Sequence, residues 1–210
     1  MGGGRYLLVR SSSVSCRAVW ALVIAHPDCH VHVIDLDQGS APAPGTPQDL
    51  PQPKRVPCLY DPPVTLYESH AILRYLGASS QFYSDDLIVR AKIDEIMDYQ
   101  GRVVNVLIQR CIMPILFPTL FGADTLTNTS EMIMREIPNL YESLHYLQDR
   151  LQAPGPYLIG THPTIADLSM VGVLQVLQHP KIAFDLEPFA SIKHWMQLIQ
   201  QEKYWPQQES

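Results

Sequence analysis

The first third of the chain alternates short strand-like runs with one apolar helical stretch. Residues 6–9 are a short apolar run, residues 17–25 continue as an apolar helix that ends before Pro27, and residues 31–36 alternate as a half-buried strand does. This order predicts a β-α-β unit of about thirty residues, the shortest length that joins two parallel strands through a helix.

The stretch from Val56 to Leu76 predicts a hairpin followed by a helix. Val56-Pro57 leads into one strand, the Asp-Pro-Pro sequence at residues 61–63 makes the turn, and residues 64–66 return. A proline at the start of a strand removes a backbone donor, so we expect it to leave a bonding edge free for a ligand. The helix that follows carries a predicted apolar stripe of Ala71, Ile72, Leu73 and Leu76.

The remainder of the chain has a helical pattern. From Leu87 onward apolar residues recur three and four apart until Pro114 and Pro118, which should kink or end the helix. Residues 130–152 and 189–201 predict two more amphipathic helices. We therefore expect an α/β domain at residues 1–77, a small and polar linker at 78–86, and an all-helical domain at 87–210.

Two local patterns predict further features within these domains. Residues 39–53 are rich in proline, which predicts a loop or a single turn rather than a long helix. Thr164 and Asp167 stand three apart just before an apolar run, the spacing of a capping box in which each side chain bonds the other residue's free backbone N–H. We expect that box to open a buried helix.

Composition narrows the classes of function. The chain has 210 residues, 46% hydrophobic, with 15 Lys and Arg and a net charge of −6, a balance that argues against a nucleic-acid partner. No apolar run reaches the roughly 18 residues of a membrane span, and the start lacks the pattern of a signal peptide. We expect a cytoplasmic protein with no membrane partner.

Cysteine and histidine usage predicts no metal site. The four cysteines show no CxxC or CxxH spacing, and the eight histidines are scattered. We expect reduced thiols, with Cys16 packed in the core.

The chemistry of Glu68 and Ser69 suits a small zwitterion. At the start of a helix the free backbone N–H groups and the positive dipole end can hold a carboxylate beside the Ser69 hydroxyl. Glu68 can then take an ammonium group. Together the two residues predict a site for an α-amino-acid head group.

These motifs, taken together, resemble the cytosolic glutathione transferases over almost the whole chain. The resemblance lies in the Val-Pro strand, the Glu-Ser helix start and the Thr-x-x-Asp box of the helical domain. Residues 13–19 are similar to the theta-class sequence Ser-x-x-Cys-Arg-Ala-Val, in which the serine is catalytic. Residues 12–17 also fit a zeta-class loop, so the loop alone does not separate the two classes.

The resemblance implies a thioredoxin-like α/β N-terminal domain followed by an all-α C-terminal domain. It implies glutathione as co-substrate without other cofactor, a homodimer, and thiol activation by the hydroxyl of Ser13 for attack on small hydrophobic electrophiles. Ser11, Ser12 and Ser15 remain alternatives to Ser13. The implied glutathione contacts are Lys54, Val56, Pro57, Glu68 and Ser69.

Three expectations concern the rest of the site. The electrophile pocket should be lined from the long helix after the linker and from the carboxy-terminal helix. A theta-type enzyme places an arginine on the long helix against the leaving group, and simple spacing puts Asn105 there, with Arg102 one turn earlier. The family's second helix often supplies a histidine or lysine to glutathione, whereas this chain has its proline-rich segment there.

Two other functions are open on the sequence. The first is a glutathione-transferase-like interaction or scaffold protein without turnover, which the proline-rich segment favours. The second is a glutathione-dependent isomerase of the zeta type.

Overall fold

The structure is a computed structural model, and it describes residues 4–10, 13–26, 30–36, 55–78, 80–118, 126–152, 155–182 and 184–206. Four of the predictions above lie outside these residues. They concern Lys54, Ser11, Ser12 and the proline-rich segment 39–53.

A four-stranded mixed sheet forms the amino-terminal part. Its strands are β1 (Arg5–Val9), β2 (Val31–Asp35), β3 (Cys58–Asp61) and β4 (Val64–Tyr67), in the spatial order β2-β1-β3-β4. β1 runs parallel to β2 and antiparallel to β3, and β3 and β4 form a hairpin around Pro62 and Pro63. The predicted β-α-β unit and hairpin are both present.

Two helices pack on this sheet, α1 (Val14–Ala25) and α2 (Ser69–Gly77). α1 begins three residues before the predicted Arg17, because Ser13 supplies an extended N-cap directly before Val14. In α2 the residues Ile72, Leu73 and Leu76 are buried as predicted. Ala71 is exposed, so its place in the predicted stripe was wrong. It lies about 100° around the helix from Ile72 and faces away from the core.

The middle of the predicted linker packs into the core. Phe82 is 2% exposed and Tyr83 is 8% exposed. The backbone carbonyl of Phe82 accepts a hydrogen bond from the N–H of Ile165 at 2.9 Å. This segment therefore joins the sheet part to the helical part through direct contacts.

The helical part contains six named α-helices within the described ranges, besides shorter π- and 3₁₀-helical turns. They are α3 (Leu87–Tyr99), α4 (Asn105–Cys111), α5 (Met113–Leu116), α6 (Leu126–Arg150), α7 (Ile165–Leu174) and α8 (Ala190–Gln200). A π-helical turn, Gln100–Val104, joins α3 to α4, so the predicted long helix continues through it to Cys111. The break at Ile112 precedes Pro114, in agreement with the expected effect of that proline.

α7 is the centre of the molecule. All ten of its residues are buried, and it packs on α1, α2 and α3. The capping box is present: Thr164 and Asp167 cap the helix, and Asp167 also accepts hydrogen bonds from the N–H of Leu158 and the indole of Trp195. One continuous apolar cluster thus runs from the sheet through α7 to α8.

No helix within the described residues is both long enough and apolar enough to cross a bilayer.

Candidate functional site

A cleft of about 200 Å³ lies between the first turns of α1 and α2 and the π-helical turn. Glu68 and Ser69, two of the predicted site residues, form part of its wall. Both halves of the molecule contribute to the lining, which consists of Ser15, Ala18, Glu68, Ser69, His70, Gln100, Gly101, Asn105, Ser169 and Val173.

The first turn of α2 carries the Glu-Ser pair in an unusual backbone conformation. Glu68 is the N-cap residue, with φ 69° and ψ 116°, and its side chain does not cap the helix. Positive φ at a residue other than glycine costs about 1–3 kcal/mol, and such residues cluster at ligand sites. The backbone N–H groups that follow have no partner inside the helix, and they suit an anionic group.

The carboxylate of Glu68 is open to solvent. Its side chain is 74% exposed, and one oxygen lies 3.6 Å from a guanidinium nitrogen of Arg55, which is 80% exposed. An ion pair between two such exposed groups contributes little to stability, so an incoming ammonium group can compete with Arg55 for the carboxylate.

Val56 and Pro57 stand directly before β3. Their peptide bond is cis, Pro57 is buried, and Val56 is half-buried. The pairing of β3 with its neighbours begins at Cys58, which leaves Val56 outside the sheet ladder. Neither residue contributes to the lining of the cleft.

Two serine hydroxyls stand at the start of α1. Ser13 is the N-cap, in extended conformation, and its side chain makes no capping hydrogen bond. Its Oγ lies 3.1 Å from the Oγ of Ser15, so one hydroxyl donates to the other. Ser15 lines the cleft, whereas Ser13 lies one hydrogen bond behind it. Cys16 is fully buried, and its sulfur accepts from the N–H of Arg10 at 3.5 Å.

His70 is a cleft residue that the sequence reasoning missed. Its Nε2 lies 2.9 Å from the Oγ of Ser169 on α7, and its ring also bonds Gln100 in the π-helical turn. Burial is the main reason that the pKa of His70 is lowered from 6.5, and the nearby charge of Arg74 lowers it further. The clue in the sequence was a polar ring directly after Glu-Ser, on the first turn of a helix.

The glycine of the π-helical turn gives this ring its room. A Cβ at Gly101 would lie 3.2 Å from Cε1 of His70. Extra-residue turns of this kind are frequent at functional sites. The turn brings Gln100 and Gly101 against the start of α2.

The two candidate positions on the long helix separate. Asn105 lines the cleft beside Glu68 and Ser69. Arg102 is exposed and lines a different surface depression, with Tyr99 and Tyr146. Of these two positions, the one that faces the cleft therefore carries a neutral amide.

A second cleft, of about 110 Å³, lies on the neighbouring face of α1. Its walls come from α1, from α5 and the residue after it, from the turn after α7 and from the end of α8. The lining residues are Val14, Arg17, Met113, Leu116, Phe117, Gln175, Val176, Gln178, His179 and Gln200.

The described residues contain no group of three histidine, cysteine or acidic side chains placed to hold a metal ion.

Comparison with known families agrees with this architecture. Residues 2–78 match the model of the glutathione S-transferase N-terminal domain, and residues 108–202 match that of the glutathione S-transferase C-terminal domain. Among solved structures, a glutathione S-transferase from Pseudomonas fluorescens superposes with a TM-score of 0.75 over 98% of both chains, at 20% identity. A delta-class glutathione transferase from Nilaparvata lugens gives a TM-score of 0.72 over 93% of this chain and 88% of that one, at 23% identity. These structures establish the thioredoxin-like and helical fold.

Curated relatives extend the match to sequence. Glutathione S-transferase theta-1 of Rattus norvegicus is 28% identical over 174 residues, which cover 80% of this chain and 70% of that protein. Glutathione S-transferase theta-3 of Mus musculus is 30% identical over 158 residues, which cover 71% of this chain and 62% of that protein. With both domain models matched in order and theta-class proteins among its relatives, the chain belongs to the glutathione transferase family.

Proposed function

We propose that this protein binds glutathione in the cleft at the start of α2 and conjugates it to small hydrophobic electrophiles. One observation carries the proposal: the Glu68-Ser69 helix start shares a single cleft with Ser15 at the start of α1. The head-group residues thus share a space of about 200 Å³ with Ser15, whose hydroxyl is hydrogen-bonded to that of Ser13.

The γ-glutamyl end of glutathione is an α-amino-acid head group. We assign its ammonium to Glu68, and its carboxylate to the Ser69 hydroxyl and the free N–H groups of α2. Val56 and Pro57, at the unpaired backbone before β3, are assigned to the extended cysteinyl part. Lys54 is assigned to a carboxylate of the peptide.

Thiol activation is assigned to the hydroxyl pair. A free cysteine thiol has a pKa of about 8.5, and a donated hydrogen bond together with a helix N-terminus favours the thiolate at neutral pH. Ser13 is the proposed donor. Among the described residues Ser15 is the alternative, because Ser15 itself lines the cleft. The thiolate then forms the bond to carbon, and the leaving group departs with the electron pair.

The second cleft is the proposed electrophile pocket. It lies on the next face of the same α1 turn, and its apolar wall includes Met113, Leu116 and Phe117. Asn105 faces the thiol cleft and offers a neutral amide to the departing group. A leaving group that depends on a cation from this helix would therefore gain no such support from Asn105.

Thermal unfolding with and without glutathione tests the binding step. A ligand of the native state at 100 times its Kd adds about 2.7 kcal/mol to the free energy of unfolding. Cysteinylglycine, which lacks the γ-glutamyl group, is the matched control and should give a much smaller shift. The absence of a shift at millimolar glutathione would contradict the proposal and favour an interaction protein without turnover.

A further inference from the structure

The second cleft contains a cation without an acidic partner among the residues that the structure describes. Arg17 projects from α1 into a wall that combines apolar side chains with neutral polar ones. Its Nη1 donates to the Oε1 of Gln175 at 2.9 Å, and no ion pair to Arg17 is found among the described residues. Burial lowers the pKa of this guanidinium from its usual value, and no carboxylate of the described residues offsets that effect.

Gln175 holds the guanidinium in place. It is 9% exposed, and its Nε2 donates to the carbonyl of Gly172 at 2.9 Å, which fixes the amide so that its oxygen faces Arg17. A guanidinium has five N–H donors in a planar fork. The bond to Gln175 uses one of them and leaves enough for a two-point contact with an anion.

The rest of the polar lining also favours an anion. The Nδ1 of His179 accepts the N–H of Lys181 at 3.1 Å, so the neutral ring carries its proton on Nε2 and remains a donor. Gln178 and Gln200 bond each other at 2.8 Å. Among the described residues that line this cleft, none is an aspartate or a glutamate.

We propose that Arg17 selects electrophiles that carry a carboxylate, which it binds in the second cleft while the apolar wall receives the rest of the molecule. This inference rests on the proposed function and names the substrate class of the same site. The cleft volume of about 110 Å³ limits the substrate to a small organic acid.

The distances along α1 allow this arrangement. Ser13 and Arg17 are four residues apart, about 6 Å along a helix axis. A thiol held by the hydroxyl pair therefore lies roughly one turn from the guanidinium. A short acid bonded to the sulfur can span that gap, since it needs to bridge only about one helical turn.

Two conjugates of glutathione test the inference without requiring turnover. S-carboxymethylglutathione and S-carbamoylmethylglutathione have nearly the same size and differ by a carboxylate against a neutral amide. We expect calorimetric titration of the full chain to give roughly tenfold or greater preference for the carboxymethyl form, as a charge-assisted hydrogen bond implies. The variant Arg17→Gln should lose that preference and keep its affinity for glutathione itself.

A second variant guards against misfolding of the first. Gln175→Glu retains Arg17 and places a carboxylate beside it, so the guanidinium becomes paired and the preference should again fall. If the wild type binds glutathione but has the same affinity for both conjugates, the inference is overturned and the proposed function still stands. Failure to bind glutathione or either conjugate would overturn both.

Discussion

Ser13 and Ser15 hold the proposed thiol chemistry between them. Their hydroxyl oxygens are 3.1 Å apart, and neither is consumed in capping α1. A hydroxyl that already receives a hydrogen bond is a stronger donor to a thiolate, because chains of hydrogen bonds polarise one another. The pair is therefore better suited to stabilise a sulfur anion than one isolated serine.

Replacement of Ser13 by alanine should lower kcat/KM roughly 10- to 100-fold, the cost of one hydrogen bond to a charged group. The pH dependence of the rate should also move toward the pKa of about 8.5 of a free thiol. Steady-state rates with a small alkyl halide between pH 6 and pH 9 measure both effects. Ser15→Ala is the matched control with a smaller expected loss, and unchanged turnover in Ser13→Ala would remove that residue from its role.

Glu68 combines a ligand role with a strained backbone. At φ 69° a glycine is unstrained, whereas an alanine is strained as the glutamate is. Glu68→Gly should therefore be more stable to urea than Glu68→Ala by about 1 kcal/mol, while both variants lose glutathione affinity. Equal stability of the two variants would show that the backbone at this position carries no strain.

At the scale of elements, the first turn of α2 is fixed to the helical part through His70. The imidazole connects α2 to Ser169 on α7 and to Gln100 in the π-helical turn. Movement of either partner would shift Glu68 and Ser69 with it. His70 thus links the placement of the head-group site to the packing of the two halves.

This linkage should depend on pH. The pKa of His70 is lowered in the folded state, so below pH 6.5 the unfolded chain binds more protons than the folded one. The stability that neutral His70 provides is complete above 6.5 and is lost as the pH falls through the folded pKa. Urea unfolding at pH 7.5 and 5.5 should show a larger loss for the wild type than for His70→Gln, and identical losses would contradict the assignment.

Local spacing predicted most of the elements and part of the candidate site. The hairpin, the Glu-Ser helix start and the capping box each depend on residues a few positions apart, so the sequence alone revealed them. The start of α1 was placed three residues late, because the serines before it interrupt the apolar pattern.

Contacts between distant residues could not be predicted in that way. His70 meets Ser169 across 99 positions, and Arg17 meets Gln175 across 158. The π-helical turn was missed for a related reason, since its residues continue the apolar pattern of the helices on either side. These contacts depend on how α1, α2 and α7 pack, which periodicity does not specify.

For the whole molecule, we propose a homodimer in the cytoplasm. The domain division at residues 78–86 stays a prediction.

The dimer is supported by an apolar surface on the edge strand β4 and on α2. There Val64, Tyr67 and Tyr75 are 36%, 39% and 41% exposed. Edge strands with exposed apolar side chains are ready sites for association.

Light scattering after size exclusion should therefore give twice the mass of one chain. Val64→Lys should shift the population toward single chains, because a charge on the edge strand opposes burial there. A mass of one chain for the wild type at high micromolar concentration would contradict the dimer, while the glutathione site could still stand.

A crystal structure of the protein with glutathione tests the central claim most directly. The account predicts the γ-glutamyl group against Glu68 and Ser69, with the sulfur about 3 Å from the hydroxyl of Ser13, within hydrogen-bond reach. Glutathione bound elsewhere, or with its sulfur beyond the reach of both Ser13 and Ser15, would contradict it.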